Sequence, residues 1–305
     1  MATQALVTAS YGRHYLVRSL GQPVELSAVT RGKRTDACVG DRVEISPAGE
    51  DQAVIEAIAP RRNELRRSDP WRSKLLAANV DQVGIVLAGD PPFSEELLLR
   101  ILCAADAAGI ACALIVNKTD LVEAHAAIGP RLAVYQALGL PVFEIAARAA
   151  PAAVRAQLGD WLAHRTTVLV GQSGMGKSTL VNTLVPDADL RTQAISTVLA
   201  SGRHTTTFSR LFDLPADVAP DARLIDTPGF QTFGISHLSV SQLAHAMPEF
   251  GTLLGDCRFN DCTHRDEPGC ALHAAAQAGK IDARRLQLYG RLVAETLNRP
   301  ARSRP

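Results

Sequence analysis

Residues 113–122 read ALIVNKTDLV, and residues 168–181 read VLVGQSGMGKSTLV. The order of these two stretches decides the fold. The first holds Asn117-Lys118-Thr119-Asp120, an N-K-x-D motif placed directly after an apolar run that reads as a buried strand. The second is a strand that runs into Gly171-Gln172-Ser173-Gly174-Met175-Gly176-Lys177-Ser178, a complete G-x-x-x-x-G-K-S. A helix with Thr179 in its first turn follows at once, which is the context a phosphate-binding loop requires. A base-reading motif normally comes after the phosphate loop, and here it comes well before it.

Each motif has a physical reason. The loop glycines let backbone N–H groups point inward around phosphates at the positive end of a helix. Lys177 can reach the β- and γ-phosphates, and the Ser178 hydroxyl can take a Mg²⁺ position. The Asp120 carboxylate can accept hydrogen bonds from N1–H and the 2-amino group of guanine. Adenine offers neither donor, so the wrong base leaves a buried charge unpaired. Lys118 can lay its aliphatic stem along the base, and Asn117 can tie the base loop to the phosphate loop.

Farther along, ARLIDTPGFQ at 222–231 is a strand ending in D-x-x-G. Asp226 is expected to hold Mg²⁺ through water, and the Gly229 N–H to sense the γ-phosphate. Between the loops lies the polar segment SGRHTTTFS, residues 201–209. Such a segment can order around Mg²⁺ and a γ-phosphate and relax on hydrolysis. Either Thr205 or Thr206 can supply the Mg²⁺ ligand. Phe230 stands where many GTPases carry a water-orienting glutamine, and Gln231 comes one residue late. Slow hydrolysis by the isolated protein is therefore expected. His204 is a candidate for the water-positioning role; an exposed loop histidine is the alternative.

Circular permutation reconciles the motif order, because domain termini often lie close together and can be rejoined without disturbing the site. From residue 75 onward buried strands alternate with helices, including SEELLLRILCAADAAG with Ser94 as N-cap, RLAVYQALGL and AAVRAQLGDWLAH. This pattern predicts a parallel sheet covered on both faces. EIAAR, residues 144–148, takes the place of a base-backing loop, where Ala146 and Ala147 can support the base through backbone N–H groups.

The flanks differ in texture. HYLVRS, VELSAV, DRVEIS and AVIEAI within the first 60 residues are short alternating strands separated by turn residues, which suits a small OB-like β-barrel. RRNELRRSDPWR at 61–72 reads as a polar linker or binding strap. Near the C-terminus, Cys257, Cys262, His264 and Cys270 lie within one turn-rich stretch. Three thiolates and an imidazole suit one closed, tetrahedral, structural Zn²⁺ site. His273 is a spare candidate that reads better as part of a helix. The following KIDARRLQLYGRLVAETL is an amphipathic helix with Lys280, Arg284 and Arg291 on one face, read as either a solvated surface or an RNA contact.

Charge is unevenly spread. Residues 1–75 carry 12 Lys and Arg against 9 Asp and Glu, residues 76–236 carry 11 against 15, and residues 237–305 carry 9 against 7. Basic ends around an acidic middle are compatible with a polyanionic partner. The apolar runs Val83–Ala88 and Ala111–Val116 are strand-sized, and the N-terminus has no signal-peptide pattern. A cytoplasmic, non-membrane protein with reduced thiols is the expectation.

Taken in sequence, the β-rich start with TRGK and VGDRV, the N-K-x-D, the G-x-x-x-x-G-K-S, GRHTTT, LIDTPGF and C-x4-C-x-H-x5-C resemble the RsgA (YjeQ) family of circularly permuted bacterial GTPases over essentially the whole chain. The resemblance implies an OB-fold at 1–66, a permuted P-loop GTPase domain at 67–236 and a helical zinc domain at 237–305. It also implies a monomeric factor in late ribosome biogenesis that binds GTP and GDP, the small ribosomal subunit and its rRNA, with hydrolysis stimulated by the subunit. This chain departs from the family pattern in lacking a serine near 146 and in carrying Ser201 where a basic residue is expected. Two rival readings remain: a nucleotide-dependent enzyme such as a kinase, which guanine selectivity would separate, and an RNA-binding module with a vestigial nucleotide site, which complete motifs oppose.

Overall fold

In HYLVRS every second side chain is buried, so Tyr15, Val17 and Ser19 face one interior while their neighbours face outward. The same alternation recurs in the strands that pair with it. The computed structural model describes residues 3–19, 21, 24–32, 36–69, 71–186, 188 and 208–298. Five strands, β1 (Thr3–Tyr11), β2 (His14–Ser19), β3 (Glu25–Thr30), β4 (Arg42–Pro47) and β5 (Gln52–Ile58), close into a barrel of order 1-2-3-5-4, with β4 returning to β1. Closure removes the free edges that a small sheet would otherwise expose. Tyr15, Val17, Val43, Ile45 and Ile55 fill its core.

β1 was not evident in the sequence, because five consecutive residues of it are buried rather than alternate ones. The cause is double duty. It pairs with β2 and β4, and beyond a register shift between Val7 and Ala9 it also pairs with the nucleotide-domain strand β12 (Ser209–Asp213) through Ala9↔Arg210 and Ser10↔Ser209. The barrel and the central sheet are thus one continuous eleven-stranded sheet.

The stretch read as a linker is a β-hairpin. β6 (Glu64–Ser68) pairs antiparallel with β7 (Ser73–Ala78), and Leu65 is fully buried beneath the charged side chains. The expected boundary at 66/67 therefore falls inside β6. Arg61, just before the hairpin, donates to the buried Asp41 carboxylate at 2.8 and 2.9 Å and fixes the chain's exit from the barrel.

The central sheet has the order β10-β9-β8-β11-β13-β12. β8 (Gln82–Ala88), β9 (Ala111–Asn117), β10 (Val142–Glu144), β11 (Thr166–Gly171) and β13 (Arg223–Asp226) run parallel, and only β12 is antiparallel. The helices are α1 (Glu95–Ala107), α2 (Val122–Ala137), α3 (Pro151–Leu162) and α4 (Lys177–Leu184). Ser94 caps α1 as expected, accepting from the Leu97 N–H at 3.2 Å. α2 starts nine residues before the expected helix at Arg131, running through Gly129 and Pro130. The parallel arrangement brings the C-terminal ends of β8, β9, β11 and β13 to one edge of the sheet, where ligands bind in open α/β folds.

After residue 236 come α5 (Val240–His245), α6 (Ala271–Gln277) and α7 (Ala283–Leu297). Their buried residues, including Phe250 and Tyr289, share one core with the central sheet. Buried Arg285 on α7 pairs with Glu249 and lies 4.9 Å from the Tyr135 ring of α2. The basic face predicted on α7 meets acids. Arg284 contacts Glu95 at 2.7 Å and Arg291 contacts Glu96 at 3.8 Å, both from the first turn of α1, while Lys280 lies before the helix.

Candidate nucleotide cleft and Cys/His cluster

The phosphate loop leaves β11 at Gly171 and re-enters helix at Lys177, with Gly174 and Gly176 at φ 85° and 87°. Gly176 is required twice over. Its φ is unfavourable for a side chain, and a Cβ there would lie 2.3 Å from the Asn117 Nδ2. That space lets Asn117, at the end of β9, cross to the loop. Its Nδ2 donates to Met175 O at 3.1 Å and Gly176 O at 3.5 Å, while its Oδ1 accepts the Ala147 N–H at 3.0 Å. One buried side chain therefore joins the base motif, the phosphate loop and the 144–148 loop. Thr183 of α4 closes the circuit by donating to Ala147 O at 3.0 Å. Ala147's N–H is thus committed to Asn117 here.

The result is a cleft of about 510 Å³. Asn117, Lys118, Asp120, Ser173, Gly174, Gly176, Lys177, Ser178, Thr179 and Gly229 all line it. Lys118 adopts φ 63° and donates to Asp90 O at 2.7 Å. Lys177 is 8% exposed and donates to Gly171 O at 3.1 Å. Burial depresses its pKa, opposed by the nearby Asp226 carboxylate. A desolvated ammonium held only by backbone carbonyls is well suited to exchange them for phosphate oxygens. A Cβ at 229 would meet Ser173 Cα at 3.0 Å and Lys177 Nζ at 3.2 Å, so Gly229 sits against both.

Other candidates stand behind this lining. Asp226 is 7% exposed at the end of β13, next to β11. Met175 is buried in the core, Thr119 donates its N–H to Ile145 O at 3.2 Å, and the Gln172 side chain accepts from the Ser94 N–H at 3.1 Å. Phe230 donates its backbone N–H to Gly171 O at 3.1 Å, while its ring is 4% exposed and packs edge-on against Phe233. The ring points into the core. Gln231 lines a separate cleft beside α1 and α7. His204, Thr205 and Thr206 lie outside the described residues.

Sequence reasoning missed two contributors. Arg148 and Leu121 line the cleft, and the turn after β8 reaches it through Asp90 and Ser94. Arg148 was legible as the one charged residue of EIAAR; the β8 turn carries no motif.

In the C-terminal region, the ligand atoms of Cys257, Cys262, His264 and Cys270 lie within 4.8 Å of one another. His264 Nδ1 is 3.4 Å from Cys257 Sγ and 3.6 Å from Cys270 Sγ. Tetrahedral zinc with bonds of ~2.3 Å to sulfur and ~2.0 Å to nitrogen sets this edge at ~3.6 Å. The donor set and spacing fit Zn²⁺. The Ala271 N–H donates to Cys257 Sγ at 3.3 Å, and Glu267 accepts from the N–H groups of Thr263 and Arg265, which folds the loop around the ligands. Burial pushes the Glu267 pKa up, but these bonds and the Thr263 hydroxyl outweigh it and hold it at about 2. His273 lies on α6, outside the cluster.

A P-loop fold with a guanine-type base motif, a D-x-x-G strand and a permuted order defines a circularly permuted GTPase. A family model described as RsgA GTPase matches residues 58–236. The protein named Small ribosomal subunit biogenesis GTPase RsgA from Paraburkholderia phytofirmans is 50% identical over 291 residues, 95% of this chain and 92% of that protein. Its namesake from Ralstonia pickettii is 48% identical over the same shares. YjeQ from Thermotoga maritima superposes with a TM-score of 0.73 at 27% identity, covering 98% of this chain and all of that one. YloQ, described as a circularly permuted GTPase, shares the fold with a TM-score of 0.67 at 24% identity. The chain belongs to the RsgA GTPase family.

Proposed function

We propose that this GTPase acts in biogenesis of the small ribosomal subunit, binding the subunit and its rRNA, with hydrolysis stimulated by that contact. The observation that carries it is the Asn117 junction, which makes one cleft from base-reading and phosphate-binding segments in permuted order. The names of the relatives support the ribosomal assignment. Asp120 selects guanine, Lys118 flanks the base, and the 171–179 loop with Lys177 holds the phosphates of GTP or GDP. Ser178, Asp226 and Thr205 or Thr206 are the residues that would hold Mg²⁺, which neutralises phosphate charge when bound. Gly229 offers its N–H to the γ-phosphate. His204 positions water in place of the residue at 230, whose ring is turned inward.

Cys257, Cys262, His264 and Cys270 hold one Zn²⁺ with no open position, so its role is structural. Residues 67–236 form the nucleotide unit, flanked by 1–66 and 237–305. No helix among the described residues is long and apolar enough to cross a membrane, and we assign the protein to the cytoplasm as a monomer.

The test is GTP hydrolysis with and without purified small subunits, ATP serving as control. Slow GTP turnover that rises sharply with subunits, and a His204→Ala variant that loses the rise, are the expected results. Fast turnover without subunits, or no response to them, contradicts the proposal.

A further inference from the structure

A second cleft, of about 450 Å³, lies at the other edge of the central sheet. It opens between the barrel and the strand starts, where Thr166 begins β11 and Arg223 begins β13. The six residues of β11 separate it from the phosphate loop, about 20 Å along an extended strand. It therefore does not share the nucleotide site.

Its charge is lopsided. Arg42, Arg62, Arg165, Arg223 and His164 line it, against Asp81 and Asp221. Asp81 is already engaged on both oxygens, accepting from the Thr166 N–H at 2.8 Å and from Arg62 at 2.7 Å. Asp221 lies 3.4 Å from His164, and Arg223 reaches away to Asp213 at 3.4 Å. Among the described residues, neither Arg42 nor Arg165 has a carboxylate within ion-pair distance. Arg165 is held instead by neutral oxygens, Trp161 O at 2.8 Å and Gln82 Oε1 at 3.4 Å. A guanidinium fixed in position with its charge uncompensated is suited to bidentate contact with a phosphate.

The backbone points to the same place. Five non-glycine residues are recorded at positive φ. Lys118 lines the nucleotide cleft and His264 belongs to the Cys/His cluster. The other three, Asn79, His164 and Asp221, all line this second cleft. Costly backbone conformations gather at functional sites.

We propose that this cleft binds the phosphate groups of a polyanion, with Arg42 and Arg165 as its principal contacts. The ligand chemistry is closely spaced phosphates, from either an RNA backbone or a free polyphosphate compound. This goes beyond the ribosomal reading and stands without it.

The test uses the full-length protein saturated with Mg²⁺ and GDP, so that the nucleotide cleft is filled. Inorganic pyrophosphate is titrated by calorimetry, and a short fluorescein-labelled single-stranded RNA by anisotropy across a KCl series. Replacing both residues, Arg42→Ala with Arg165→Ala, is expected to weaken binding about tenfold and to make the RNA salt slope shallower by about one. The double lysine replacement, which keeps the charge and is the safer variant for folding, should lose less. Intrinsic GTP turnover should not change. Loss confined to RNA identifies a nucleic-acid backbone as the ligand, and loss confined to pyrophosphate identifies a free polyphosphate. Unchanged binding of both probes by a folded double-alanine variant overturns the proposal.

Discussion

The four ligand atoms of the Cys/His cluster come from one stretch, residues 257–270, whereas the nucleotide cleft draws on residues from 117 to 229. The cluster is local: its loop is held by hydrogen bonds among near neighbours and, in the proposed reading, by a metal. The cleft is global: Asn117 reaches loop atoms 58 positions away, and the parallel sheet sets the spacing. Circular permutation leaves a globally built site intact because the sheet, not the chain order, aligns its parts. The C-terminal helices combine both modes, since they share the large core yet carry their own cluster.

The contrast can be broken in several places. Cys262→Ser should have the largest effect, because metal binding to such sites supplies folding free energy of order 10 kcal/mol. Zinc content should fall from one per chain to near zero, and hydrogen exchange should rise across 257–297, while GDP affinity stays within about threefold. Arg285→Ala should come next. It strands Glu249, whose side chain is 8% exposed, and the expected cost is about 3–5 kcal/mol in denaturant unfolding. Asn117→Ala leaves Met175 O and the Ala147 N–H without their partner, and should weaken GDP binding by about 1–3 kcal/mol. Zinc content should not move, which separates the two sites. Arg284→Ala should do least, under about 1 kcal/mol, because the residue is largely exposed and Glu95 retains Arg131.

What the sequence revealed follows the same division. The phosphate loop, N-K-x-D, D-x-x-G and Cys/His spacing were readable because each encodes local chemistry. The missed features depend on partners far along the chain. β1 hides its alternation because it serves the barrel and β12 together. The strand at 64–68 reads as a charged linker because only Leu65 and Ser68 are buried in it. The basic face of α7 suggested solvent or RNA, since nothing in its own sequence announces the acids of α1 opposite it. Phe230 was recognised as unable to orient water, but only its packing against Phe233 gives the direction of the ring.

The most direct test of a single guanine-reading cleft is the GDP and xanthosine diphosphate affinity of the Asp120→Asn protein. An amide at 120 can donate to the 2-oxo group of xanthine but cannot accept both guanine donors. The account predicts that GDP binding weakens at least about a hundredfold while xanthosine diphosphate binding tightens. Unchanged GDP affinity in a folded Asp120→Asn protein would mean that the early N-K-x-D motif does not read the base held by the later phosphate loop.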